Sequence, residues 1–374
     1  MLGSRSGAHA EWAPDRKWGE RDAEKTIAVL FGGCSTEYEV SLQSAASVID
    51  HLDKAKYELV LIGITREGAW LRYHGDPEEI RRDRWHQHPG CIPAFLPPSR
   101  ETGGIVELVV TEYRLTPVDV VFPVLHGKNG EDGTLQGLLE LSGIPFVGCG
   151  TLASALCMDK EVASKLVKAA GVEVAGSVTV LAGDDLYAAA KSAETLGYPV
   201  YVKPAKSGSS FGITKAYDRL ALMDGIREAL QHDDKVVVEQ NIAGFEVGCA
   251  VLGHREPFIG EIDEIELQGE FFDYTEKYQL ISSKIHLPAR ISEETANRVK
   301  ETARRVYRTL GCRGLARVDM FITEGERIVF NEVNTMPGFT AASRYPNMMR
   351  ASHLPYPDLM DRLIQMAEAM EVVR

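Results

Sequence analysis

The 374-residue chain is 44% hydrophobic and 25% charged, an ordinary globular composition with length for two or three well-cored domains. A net charge of −13 excludes nonspecific nucleic-acid or anionic-membrane binding as its main business, but leaves a small anionic ligand to locally placed lysines. Cys34, Cys91, Cys149, Cys157, Cys249 and Cys312 stand singly with no C-x-x-C pair, which fits reduced thiols of a cytoplasmic protein better than disulfides or zinc.

No apolar run reaches the ~20 residues of a membrane span. Residues 1–25 are polar and read as a disordered leader, not a secretory signal. The first block, 26–148, alternates strands and helices. TIAVLFGG (26–33), YELVLIGIT (57–65) and VDVVFPVLHG (118–127) are apolar strands; 39–52 and 133–143 have helical spacing, and IPFVG (144–148) is strand-like. Such alternation predicts an α/β block with a parallel sheet and ligands at the strands' carboxyl ends. Residues 71–112, rich in proline and charge, read as an irregular insertion. A second block, 149–240, carries helices at 159–170 and 185–196 and strands YPVYVKPA (198–205) and VVVEQ (236–240). The third, 241–374, is α+β: FEVGCAVLG (245–253), a helix over 292–310, strands GLARVDMFI (314–322) and RIVFNEVN (327–334), and an amphipathic helix over 356–370. Repeats and low-complexity tracts are absent from the sequence.

Two segments carry the chemistry. In YPVYVKPAKSGSSFGI (198–213) a strand runs through Lys203 into a small-residue loop of Gly208, Ser209, Ser210 and Gly212. Backbone N–H groups in such loops approach phosphate oxygens closely, yet the G-x-x-x-x-G-K-[ST] signature is missing. Lys203 is the one ionic group in YPVYVKPA, Lys160 opens a helix pattern, and Glu239 ends an apolar strand within reach of a nucleotide's ribose. In LARVDMFITEGERIVFNEVNTMPG (315–338) two strands flank a tight turn at Glu324-Gly325. A two-residue turn would set Asp319 opposite Phe330 and Glu332 opposite Arg317, leaving Asp319 and Glu332 as diagonal neighbours about 7–8 Å apart. With Asn334 beside them, their oxygens suit magnesium. The bland alternative is a solvated strand face. Uncompensated carboxylates in strands this apolar would be costly, so the metal reading leads.

Together, MDK (158–160), YVKPAKSGSSFG (201–212), VVVEQ with FEVG (236–248), RVDMF (317–321) and NEVNTMPGFT (331–340) resemble the D-alanine–D-alanine ligases, and most closely their vancomycin-resistance relatives. FGGCSTEYEVSLQSA (31–45) and LHGKNGEDGTLQGLLELSGIPFVG (125–148) match as well, so the likeness spans about 26–370. The resemblance implies an ATP-grasp fold behind a Rossmann-like N-terminal domain, with a mobile loop over about 266–285. It implies ATP contacts from Lys160, Lys203, Ser210, Glu239, Glu246 and Lys277, and Mg2+ or Mn2+, as two ions, on Asp319, Glu332 and Asn334. By the same resemblance, one D-alanine carboxylate takes the γ-phosphate to give an acyl phosphate, which the second substrate's amine attacks. Arg317 and the Gly338 N–H match the oxyanion-stabilising positions. Glu37 matches the carboxylate for the first ammonium, His126 a first-subsite histidine, and Ser343 a contact to the second carboxylate. A homodimer is usual in this family; nucleic-acid and membrane partners are not expected.

Acceptor choice turns on two places. Tyr278 in FFDYTEKY (271–278) matches the tyrosine bonded to Ser209 and Glu37 in dipeptide-forming members, where depsipeptide-forming members carry a histidine-containing loop. Arg344 replaces the apolar residue of housekeeping ligases, and with Asp263 and Phe272 resembles the D-serine-selective subgroup. The expectation is D-serine, with D-alanine as competitor. A decayed binding protein would have lost a metal ligand or Arg317. Other ATP-grasp ligases would lack the Glu37–Ser209–Tyr278 set. A dehydrogenase would need G-x-G-x-x-G, which does not occur, and a hydrolase role for Ser209 would need it at the centre of a G-x-S-x-G elbow, which it is not.

Overall fold

Our computed structural model describes residues 25–110, 112–208, 212–267 and 283–371. β1 (Lys25–Gly32) is apolar and buried after its first residue, and it pairs in parallel with β2 (Tyr57–Ile64) and β7 (Val120–Val124). Strands buried this completely need cover on both faces, as parallel sheets do. The helix Tyr38–His51 supplies one side, placing Leu42, Ala45 and Ile49 in the core.

The segment 71–112 is not an irregular insertion. It folds into β3 (Trp70–Tyr73), β4 (Ile92–Phe95), β5 (Gly104–Val109) and the start of β6 (Glu112–Pro117), which extend the sheet antiparallel in the order β6-β5-β4-β3-β2-β1-β7. These strands are short and carry charges among their apolar residues, so no clear period marks them. Residues 144–148 contribute only an isolated parallel bridge, Val121 to Phe146.

β8 (Ser177–Leu181), β9 (Val200–Pro204), β10 (Thr214–Ala216) and β11 (Lys235–Gln240) form a second sheet, ordered β10-β9-β11-β8. β12 (Gly244–Gly253), β13 (Phe258–Leu267), β14 (Ser283–His286), β15 (Gly314–Thr323) and β16 (Ile328–Asn334) form a third, ordered β14-β13-β12-β15-β16. The ends of the expected 266–285 loop are strand: Glu266 pairs with Lys284 and Leu267 with Ser283, while 268–282 lie outside the described residues. The helix Glu293–Thr309 is capped by Ser292 and packs Val299, Ala303 and Val306 on Ala316, Val318, Met320 and Ile322 of β15. Arg317, Asp319 and Phe321 therefore face the other way, toward the site.

The register of the β15–β16 hairpin differs from expectation. Thr323 and Arg327 enclose a three-residue loop, with Glu326 at φ 55°, which slips the pairing by one. A bulge at Asn331 slips it once more, so Asp319 faces Glu332 directly and Arg317 faces Asn334. A single slip would have turned Glu332 away; the second returns it to the face of Asp319. Phe330, expected on that face, instead pairs with Met320 and packs in the core.

Candidate active site

A cavity of about 600 Å³ lies between the second and third sheets, lined by Lys160, Lys203, Glu239, Glu246, Phe321 and Glu332 among others. Lys160 begins the helix Lys160–Ala169, whose first turn is fixed by the Asp159 carboxylate accepting from the Val162 N–H. Its ammonium donates to the Ser207 carbonyl at 2.7 Å and stands 3.6 Å from Glu332. Lys203 donates to Glu239 at 2.6 Å across β9 and β11. Burial opposes the Lys203 charge, yet Glu239 outweighs it and holds the ammonium above its ordinary pKa. Two fixed cations line this cleft, an arrangement that suits a polyanionic ligand.

Four residues align in register across the third sheet: Asp263, Gly248, Asp319 and Glu332. Asp263 and Asp319 are each only 1% exposed. Carboxylates buried like this must be compensated, and two guanidiniums do so. Arg317 donates to both Asp319 oxygens, Nε at 2.7 Å and Nη2 at 2.6 Å, and the Asn334 amide adds a bond of 2.9 Å. Arg344, first residue of the helix Arg344–Ala351, makes a bidentate pair with Asp263 at 2.7 Å for each bond. It also lies 3.6 Å from Glu246 and 3.7 Å from Asp319. Burial works against both guanidiniums, but the facing carboxylates keep them firmly charged. Among the described residues no three His, Cys, Asp or Glu side chains form a ready-made metal cage. Two of the row's carboxylates, Asp319 and Glu332, stand with the Asn334 carboxamide, which lies in the next pair along the hairpin. That donor set fits a divalent ion completed by phosphate and water.

The N-terminal block packs against the third block through a shared apolar core, and polar contacts to the loop after β16 lie at its edge. Glu37 precedes the helix Tyr38–His51 and is 5% exposed; a Cβ on Gly127 or Gly208 would fall 2.3 or 2.4 Å from its carboxylate. These glycines let two loops close on one carboxyl group. His126 bonds the Met336 carbonyl at 2.8 Å and the Ser44 hydroxyl at 3.1 Å, and burial drops its pKa below the ordinary value, leaving the ring neutral. Ser44 also accepts from the Phe339 N–H, and Ser47 from Ala341 N–H. Ser343 caps the turn before Arg344 by accepting from Thr340 N–H at 3.0 Å, and Gly338 lies against it. Ser209, Ser210, Phe272, Lys277 and Tyr278 lie outside the described residues.

Sequence reasoning missed Glu131 and the serine face of the first helix. Ser41, Ser44 and Ser47, three residues apart on a buried face, were a readable signal of polar docking. Glu131 accepts from Gly127 N–H and Met336 N–H, both at 2.8 Å, and so ties the loop after β7 to the loop before Gly338. Burial, reinforced by Glu37, pushes its carboxyl up to about 8 from 4.5. Between those two values the folded protein holds a proton that the unfolded chain has released, so stability falls as pH rises from about 4.5 to 8. Glu131→Gln removes this titration. Its melting temperature, followed by calorimetry without ligand, should decline less between pH 5.5 and 8 than that of the parent; parallel curves would refute the assignment.

Comparison with known proteins agrees with this geometry. Residues 26–149 match the family described as D-ala D-ala ligase N-terminus, and 166–365 match D-ala D-ala ligase C-terminus. The chain is 47% identical over 348 residues to a D-alanine–D-alanine ligase of Caldicellulosiruptor bescii, covering 91% of this chain and 94% of that protein. It is 45% identical to the vancomycin/teicoplanin A-type resistance protein VanA of Enterococcus faecium, covering 91% and 98%. The crystal structure of VanG D-Ala:D-Ser ligase from Enterococcus faecalis superposes with a TM-score of 0.85 at 52% identity, over 92% of this chain and 100% of that one. With both halves of the family matched in order around one site, the chain belongs to the D-alanine–D-alanine ligases, ATP-dependent enzymes of the ATP-grasp fold.

Proposed function

We propose that the protein joins D-alanine to D-serine at the expense of ATP, releasing ADP and phosphate, and so supplies a dipeptide for peptidoglycan precursors. Cytoplasmic synthesis fits that role, and a D-serine terminus links it to vancomycin resistance. One observation carries the acceptor choice: Arg344 is locked to Asp263 on the wall beside Asp319, where housekeeping ligases are expected to be apolar. Its remaining N–H groups can donate to a serine hydroxyl, and a wall built to hydrogen-bond discriminates against a substrate lacking that group. The 52% identity to a structure described as a D-Ala:D-Ser ligase supports the same reading.

ATP takes the cavity under Lys160 and Lys203, with Glu239 and Glu246 toward the nucleoside. Glu37 receives the ammonium of the first D-alanine, and neutral His126 lines that subsite. The carboxylate of this D-alanine attacks the γ-phosphate to give an acyl phosphate; the acceptor amine then displaces phosphate. Arg317 and the Gly338 N–H stand where the tetrahedral oxyanion develops. Ser343 holds the acceptor carboxylate. Asp319, Glu332 and Asn334 would hold Mg2+ or Mn2+, which neutralises charge on the phosphate oxygens when bound.

A competition assay tests the acceptor. With ATP, D-alanine and excess D-serine or D-lactate, mass spectrometry should find D-Ala–D-Ser as the main product. Exclusive D-Ala–D-Ala would refute the role of Arg344, and abundant D-Ala–D-Lac near neutral pH would refute an amine acceptor.

A further inference from the structure

Gly248 sits at the centre of the carboxylate row, paired with Asp263 on one side and Asp319 on the other. It is not among the glycines with left-handed φ, so backbone conformation does not require it. Space does. A Cβ there would lie 2.4 Å from Arg344 Nη2, 2.7 Å from Asp263 Oδ1 and 3.0 Å from Asp319 Oδ1. All three are ends of side chains, and the nearest belongs to the longest and most flexible of them. A methyl group at 248 therefore displaces the Arg344 guanidinium and pushes the Asp263 carboxylate that holds it, while the strand stays in place. The Gly248 N–H also donates to Asp263 Oδ1 at 3.0 Å, the same oxygen that receives Arg344 Nη2 at 2.7 Å. Val247, Cys249 and Val251 of β12 pack into the core on the opposite face, and Ala250 and Leu252 do so on the face of Gly248 further along the strand, whereas the atoms nearest position 248 itself are these polar side-chain ends.

We propose that Gly248 is a specificity-determining position of the acceptor subsite. Its missing side chain is the seat of the Arg344 guanidinium, and its N–H fixes the carboxylate that holds Arg344 in place. This rests on the reading of Arg344–Asp263 as the wall that recognises the acceptor hydroxyl. Gly248 touches no reacting atom; it acts through Arg344.

The test is a double-mutant cycle of Gly248→Ala and Arg344→Leu, reading the ratio of D-Ala–D-Ser to D-Ala–D-Ala formed from an equimolar mixture of D-serine and D-alanine. Gly248→Ala should lower the ratio roughly tenfold or more. In the Arg344→Leu background the same change should alter it by less than about twofold, because no guanidinium is left to displace. The drop in melting temperature caused by Gly248→Ala should likewise shrink in that background. An equal drop in both backgrounds assigns Gly248 to strand packing and overturns the proposal. So does an unchanged ratio in Gly248→Ala while Arg344→Leu shifts it. If Arg344→Leu itself leaves the ratio unchanged, the acceptor wall was misread and the role of Gly248 falls with it.

Discussion

Asp319→Asn is expected to lower ATP-dependent dipeptide formation by at least ~10³-fold at saturating magnesium, with secondary structure retained. The magnitude follows from several kcal/mol of charge stabilisation attributable to a bound ion, at about 1.4 kcal/mol per tenfold in rate. The substitution also uncouples the two guanidiniums. Arg317 loses one of its two short-bonded acceptor oxygens and the charge that pairs it, and Arg344 loses the negative charge 3.7 Å away. Removing one partner of a buried pair leaves the other charge uncompensated, so melting should also drop by several degrees. Glu332→Gln tests the metal contribution at a more exposed carboxylate, which stands 3.6 Å from Lys160. Its loss of turnover should be nearly as large, with a smaller thermal cost. Turnover within tenfold of the parent in both variants, assayed across magnesium concentrations, would refute the assignment of these carboxylates to the ion.

How far the sequence revealed this site depended on how far apart its parts lie in the chain. The alternation of β15 was readable because Ala316, Val318, Met320 and Ile322 repeat every second residue with Arg317 and Asp319 between them. The pairing of Asp319 with Glu332 was not, since it depends on a loop one residue longer than expected and on the bulge at Asn331. Neither has a strong local signature: Glu326 takes φ 55° without being glycine, and Asn331 resembles any other polar strand residue. β3 to β6 were missed for a related reason. Glu107 is buried in β5 against Arg114 and Arg72, so charge there marks a paired interior and not a loop. Gly248 lay in a quoted motif, FEVG, yet its meaning needs three strands and a helix that are not consecutive in sequence. Pairings of that range come from tertiary packing, which no single window contains.

Arg317→Lys should lower kcat by ~10²–10³ while moving KM for ATP and D-alanine by less than about threefold, the cost of losing one pre-placed oxyanion donor. The substitution keeps the positive charge, so the expectation depends on shape. Arginine presents a planar fork, and here Nε and Nη2 are both spent on Asp319, which fixes the orientation of the remaining N–H groups. A lysine ammonium is a point donor on a flexible stem. It can satisfy Asp319 or approach the oxyanion, and doing both requires a geometry that the strand does not impose. Arg317 is also flanked by Arg344, whose charge raises the cost of any cation held less tightly to Asp319. Because the same carboxylate anchors the guanidinium, Arg317→Lys and Asp319→Asn should be strongly sub-additive: the double variant should turn over little more slowly than Asp319→Asn alone. Pre-steady-state measurement separates the steps. If Arg317 acts on the tetrahedral oxyanion, dipeptide formation slows, whereas acyl phosphate formation and nucleotide affinity are preserved. A variant that binds ATP tenfold more weakly at unchanged kcat would place Arg317 on the nucleotide and remove it from the reacting carbonyl.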